Sequence, residues 1–72
     1  MQIYKNLGGN SNVQWYIIGD DYIDVQFGTG NPYRYSYKSA GKEKVETMKE
    51  LALKGEGLNS YINRYARKDY EK

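Results

Sequence analysis

Tyr33, Tyr35 and Tyr37 alternate with Arg34, Ser36 and Lys38. In a β-strand successive side chains point to opposite faces, so a strand here carries three phenols on one side and a serine between two cations on the other. That is the chemistry of contact. Aromatic faces stack on bases or on partner side chains, and cations meet phosphates. The chain offers little for making or breaking bonds. It has no histidine and no cysteine, so the commonest general base and the strongest nucleophile are absent. Asp20, Asp21 and Asp24 do not follow a calcium loop, which needs oxygen ligands at alternate positions and a closing glutamate. They read as a turn and a solvated strand residue. Gly28-Thr29-Gly30 precedes a strand, whereas a phosphate loop must open a helix. Gly55-Glu56-Gly57 precedes a helix but lacks the Lys-Ser/Thr of such a loop. The expectation is a non-enzymatic module with no catalytic residues, no metal and no cofactor.

Contact chemistry must then be placed on a face. If helices cover the tyrosine side, Tyr33, Tyr35 and Tyr37 belong to the core, with their hydroxyls hydrogen-bonded. The exposed candidates become Tyr16, Tyr22, Arg34 and Lys38 on the open sheet face, or Arg64, Arg67, Lys68 and Tyr70 toward the C-terminus. RNA or another nucleic acid is the first partner this suggests. The alternative is protein recognition through Tyr16, Ile18 and Tyr22, since tyrosine and arginine are common interface anchors. That reading covers a homodimer. It also covers an inhibitory factor that occupies a site on a host machine, such as a phage-encoded anti-defence protein.

Size sets the terms for the elements that hold these residues. Seventy-two residues make one domain, which buries only about 60% of its unfolded surface. Without cysteine or histidine, the usual disulfide or zinc staple is missing. Nine tyrosines, one tryptophan and one phenylalanine are the available source of buried area. Net charge is +2, but residues 1–33 carry −2 and residues 34–72 carry +4. The basic half is either a solvated helical surface or a docking face. The absence of cysteine suits a cytoplasmic protein. No apolar stretch approaches the ~20 residues that cross a bilayer, and no signal-peptide core follows Met1. A membrane partner is therefore not expected.

Periodicity supplies the elements. Residues 1–10 read as a flexible arm or an edge strand at Gln2-Ile3-Tyr4, followed by the turn-prone run Asn6-Leu7-Gly8-Gly9-Asn10-Ser11-Asn12. Val13, Trp15 and Ile17 alternate with Gln14, Tyr16 and Ile18, and Ile23, Val25 and Phe27 alternate with Tyr22, Asp24 and Gln26. Residues 33–38 form a third strand after Pro32, which cannot donate to a ladder. Short turns at Gly19-Asp20-Asp21 and 28–32 imply an antiparallel meander. The period then changes. Val45, Met48, Leu51 and Ala52 share one helical face, with Ser39 or Gly41 at its start and Gly55 closing it in a left-handed conformation. Leu58, Tyr61, Ile62 and Tyr65 mark a second helix, with Asn59 as its N-cap. The expected fold is α+β: a three-stranded antiparallel meander with two C-terminal helices packed on one face, occupying residues 11–70. Val13, Trp15, Ile17, Ile23, Val25, Phe27, Tyr33, Tyr35 and Tyr37 should face the helices.

The order of these residues resembles the KTSC domain, a small module named for its place at the C-terminus of some lysyl-tRNA synthetases and also found alone. The resemblance runs over about residues 11–66. It rests on Ser11 and Val13, Val25-Gln26-Phe27, Gly28-Thr29-Gly30, Tyr33-Arg34-Tyr35, Val45, Ala52, Gly55, Leu58-Asn59, Ile62 and Tyr65. Ser39-Ala40-Gly41 replaces the family's Val-Pro pair, Leu58 replaces an aromatic residue, and Asn63 occupies the family's arginine position, with Arg64 one place beyond. The resemblance implies the fold first. RNA binding is suggested for the family largely through its synthetase association.

Overall fold

A computed structural model describes residues 1–9 and 11–71. It is a small α+β fold with a four-stranded antiparallel sheet in the order β1-β2-β3-β4. The strands are β1 Gln2–Ile3, β2 Val13–Ile18, β3 Tyr22–Phe27 and β4 Tyr33–Ser36. They are followed by α1 Tyr37–Ala40, α2 Lys42–Lys54 and α3 Leu58–Tyr61, which runs on into a π-helical turn over Ile62–Ala66. The expected meander is present, with one strand more than expected. Gln2–Ile3 pairs with β2, and Tyr4, 4% exposed, enters the core. Its hydroxyl accepts a hydrogen bond from the Leu58 backbone amide at 3.2 Å, tying the first strand to α3. Asn10, inside the turn-prone run, lies outside the described residues. Just before it, Asn6 turns the chain at φ 55° and its side-chain carbonyl accepts from the Ser11 amide, a conformation asparagine tolerates better than most residues.

Strand faces differ from expectation in β2. Val13 pairs with Phe27, but Trp15 pairs with Gln26, so β2 carries one extra residue at Gln14. Such a bulge shifts every later side chain to the opposite face. Tyr16 and Ile18 therefore join Val13 on the side of Ile23 and Val25, and Trp15 and Ile17 turn away. Tyr16 is 5% exposed, which corrects its placement on the open face. Both phases of Val13–Ile18 are apolar, so alternation alone could not choose between them.

The third strand also ends earlier than expected. Ser36 caps α1 in a reciprocal box: its hydroxyl accepts from the Ser39 amide at 3.1 Å, and the Ser39 hydroxyl accepts from the Ser36 amide at 3.1 Å. This satisfies donors that a continued ladder would otherwise need. Tyr37 and Lys38 thus lie on a helix, not on the sheet. Of the three tyrosines expected beneath the helices, Tyr35 is fully buried, Tyr33 is 45% exposed and Tyr37 is half-buried on α1.

One core unites the layers. Val45, Met48 and Ala52 of α2, with Leu58, Ile62 and Ala66 of the last helix, pack on Val13, Tyr16, Ile23, Val25 and Tyr35. Gly55 ends α2 at φ 80°, where a Cβ would stand 2.6 Å from the Lys5 Cβ. The second cap differs from expectation: Gly57, at φ 86°, precedes α3 and Asn59 lies inside it. The π-helical turn keeps residues four apart on one face, so Leu58, Ile62 and Ala66 point inward and Tyr65 is left outside, 54% exposed. No helix among the described residues is long and apolar enough to cross a membrane.

Candidate nucleic-acid interface

The sheet presents its two sides very differently. On the side away from the helices, cross-strand pairing aligns Trp15 with Gln26, and Ile17 with Asp24 and Arg34. Arg34 is exposed but paired. Its Nε and Nη2 donate to the two Asp24 carboxylate oxygens at 2.7 and 3.0 Å, and its guanidinium lies 4.0 Å from the centre of the Tyr22 ring. The bidentate hydrogen bonds to Asp24 hold the guanidinium proton even more tightly than usual. Asp24, 8% exposed, is consequently the partner of an arginine and not a solvated strand residue. No group of three or more acidic side chains among the described residues is placed to hold a metal ion.

The helix-covered side ends in a groove of about 480 Å³ between the tip of the sheet and the last helix. It lies within the size range of small-ligand sites. Phe27 and Tyr33 come from β3 and β4, and Tyr35 forms the floor. Asn12, just before β2, lines the groove together with Asn59 and Asn63 of the last helix, and with Arg67 and Lys68, which follow that helix. Tyr70 closes the row of rings. It stacks on Tyr33 with centroids 4.7 Å apart and planes 19° from parallel, and it meets Tyr35 edge-on at 6.3 Å. The other neighbour of Tyr33 is Phe27, at 5.9 Å and 52°. Arg67 and Lys68 are exposed and make no ion pair among the described residues. Burial among these rings pushes the Tyr35 phenol well above its ordinary range, with the neighbouring Tyr33 and Tyr70 adding to the effect.

The candidates read from the sequence therefore separate. Arg67 and Lys68 stand at the groove with Tyr70. Lys38 lies one hollow away, beside Ser39, Tyr70 and Glu71. Arg64 is on the outer side of the last helix with Tyr61 and Tyr65. Arg34 and Tyr22 are joined to each other on the open face, and Tyr16 is in the core. Ile18 shares the covered side but is 38% exposed at its end. Sequence reading missed the amides Asn12, Asn59 and Asn63 and the return of Tyr33 to the surface. Asn59 and Asn63 lie four residues apart, a spacing that puts them on one helical face, but only the fold brings Asn12 to meet them. The chain matches no protein-family model, no curated protein and no solved structure.

Proposed function

We propose that this chain is a non-enzymatic binding module that holds single-stranded nucleic acid, RNA foremost, in the groove between the sheet tip and the last helix. One observation carries the reading: an aromatic row, three side-chain amides and two cations that make no ion pair among the described residues converge on one opening. Sequence-tolerant binding of single strands uses this combination, with rings for bases and cations for phosphates. Asparagine adds paired donors and acceptors suited to base edges. The KTSC resemblance supports the same location. Phe27, Tyr33, Tyr35, Asn59 and Ile62, five of the residues that carry the likeness, come from separate stretches and line this groove. The alternative of a protein contact built on Tyr16, Ile18 and Tyr22 has lost its central ring to the core.

The test is binding of a labelled single-stranded RNA of mixed sequence at several ionic strengths. Contacts of Arg67 and Lys68 with two phosphates give a log-affinity against log-salt slope of about −1.4. The double variant Arg67→Gln/Lys68→Gln should flatten that slope. No binding by the unaltered chain at low salt ends the proposal.

A further inference from the structure

The segment that follows the last helix is laid across the groove and fastened at three points. Asp69 accepts from Lys44 Nζ at 2.7 Å, an ion pair with both side chains about a third exposed. Tyr70 stacks on Tyr33. The Glu71 amide donates to the Arg34 carbonyl on β4 at 2.7 Å. Tyr70 lines both the groove and the neighbouring hollow that holds Lys38, so its ring is the wall between them. It also takes a place beside Tyr33 that a ligand ring would want. Tyr33 has Phe27 as one aromatic neighbour and Tyr70 as the other. A flat ring that stacked on Tyr33 as Tyr70 does would have to take the place of Tyr70.

We infer that Tyr70 is an internal stand-in for an unpaired nucleobase, and that base and Tyr70 alternate on the Tyr33 ring. The inference rests on the nucleic-acid reading of the groove and adds how the site is filled. Near-parallel rings at this separation are the geometry of stacked aromatics, the contact a base would remake on Tyr33. Once Tyr70 swings out, groove and hollow join, and Lys38 comes into line with Arg67 and Lys68 along one opening. The base edge then meets Asn12, Asn59 and Asn63, and the backbone phosphates run along the three cations. The ion pair between Lys44 and Asp69 is the outer fastening of the segment. It is exposed enough to water to yield without disturbing the core.

The experiment compares anisotropy titrations of short rA, rU, dA and dT oligomers with the full chain and three variants. Tyr70→Ala should bind at least about threefold tighter, because the competing ring is gone. Lys44→Gln should also bind tighter, although it removes a cation that a purely electrostatic account would count as a loss. Tyr33→Leu, which keeps apolar bulk but no stacking face, should bind about tenfold weaker or worse. In the unaltered chain, the Tyr70 ring resonances should lose their ring-current shift as rA is added, a readout independent of any variant's folding. Equal binding of ribo- and deoxyribo-oligomers assigns recognition to base and phosphate, and a preference for rA and rU adds the 2′-hydroxyl. If Tyr70→Ala weakens binding as Tyr33→Leu does, Tyr70 is part of the platform. The exchange is then overturned while the groove reading stands. If the unaltered chain binds no oligomer at low salt, both readings fall.

Discussion

The two sides of one sheet treat their cations in opposite ways. On the open side, Arg34 is locked to Asp24 by two hydrogen bonds and lies over Tyr22. On the covered side, Arg67 and Lys68 stand at the groove and make no ion pair among the described residues. Sequence alone weights all three alike, because a positive charge is visible in a sequence and its partner is not. Arg34 and Asp24 sit ten positions apart and meet because β3 and β4 pair in the register that sets them opposite each other. A cation already neutralised by a bidentate carboxylate is less well placed to meet a phosphate. The proposed recognition therefore draws on the C-terminal end of the molecule, while Arg34 on the open side ties β3 to β4.

The largest expected effect separates the two sides by packing. Ile23, fully buried under the helices, should lose about 2–5 kcal/mol on replacement by alanine. Ile17, half-buried on the other side, should lose about 1 kcal/mol. Urea unfolding of the two variants measures this, and equal losses would break the distinction. Next comes binding. Arg67→Gln should lower RNA affinity and reduce the salt slope by about 0.7, whereas Arg34→Gln should leave the slope unchanged. A flattened slope in Arg34→Gln would return the open side to consideration.

Alkali sharpens the contrast through the phenols. The unfolded chain releases a tyrosine proton near pH 10, and folded Tyr35 holds its own to higher pH. Stability is thus intact below pH 10 and falls as pH rises beyond it. Absorbance at the phenolate band should show Tyr35 ionising only as the protein unfolds, and Tyr35→Phe should raise the alkaline midpoint. The smallest effect is on the acid side. Glu46 accepts from Lys49 and from the Tyr37 hydroxyl, and these contacts, Lys49 first, hold its carboxyl below the ordinary value of 4.5. Its contribution is present above that value and is lost as pH falls through the lowered one. Tyr37→Phe should shallow this acid decline slightly in a pH series of thermal melts.

Much of the architecture is legible in the residues. Ile23, Val25 and Phe27 alternate cleanly with polar neighbours, and Gly55 ends α2 in the left-handed conformation that its position suggests. What escapes is whatever depends on a single displaced residue. The bulge at Gln14 is invisible because Trp15 and Tyr16 are equally willing to be buried. The alternating tyrosines disguise the Ser36–Ser39 box, because their period continues the strand pattern to Lys38. The π-helical turn substitutes Ala66 for Tyr65 on the inner face, where a regular 3.6-residue count favours the larger ring. The groove was legible only in part. Its cations and Tyr70 stand out by type, but its amides look like ordinary helix-surface and loop residues until the sheet tip and the last helix close on each other.

The bond from the Glu71 amide to the Arg34 carbonyl has a further consequence at the rim of the sheet. An outer strand normally exposes a ladder of unused donors and acceptors that can recruit a neighbouring molecule into a growing ribbon. Here one margin is a strand of only two residues. The other, four residues long, follows a proline and has the chain's own tail bonded to its backbone. The segment after the last helix thus takes one acceptor on this margin, and a variant truncated after Lys68 should form fibrous or turbid material on storage sooner than the unaltered chain.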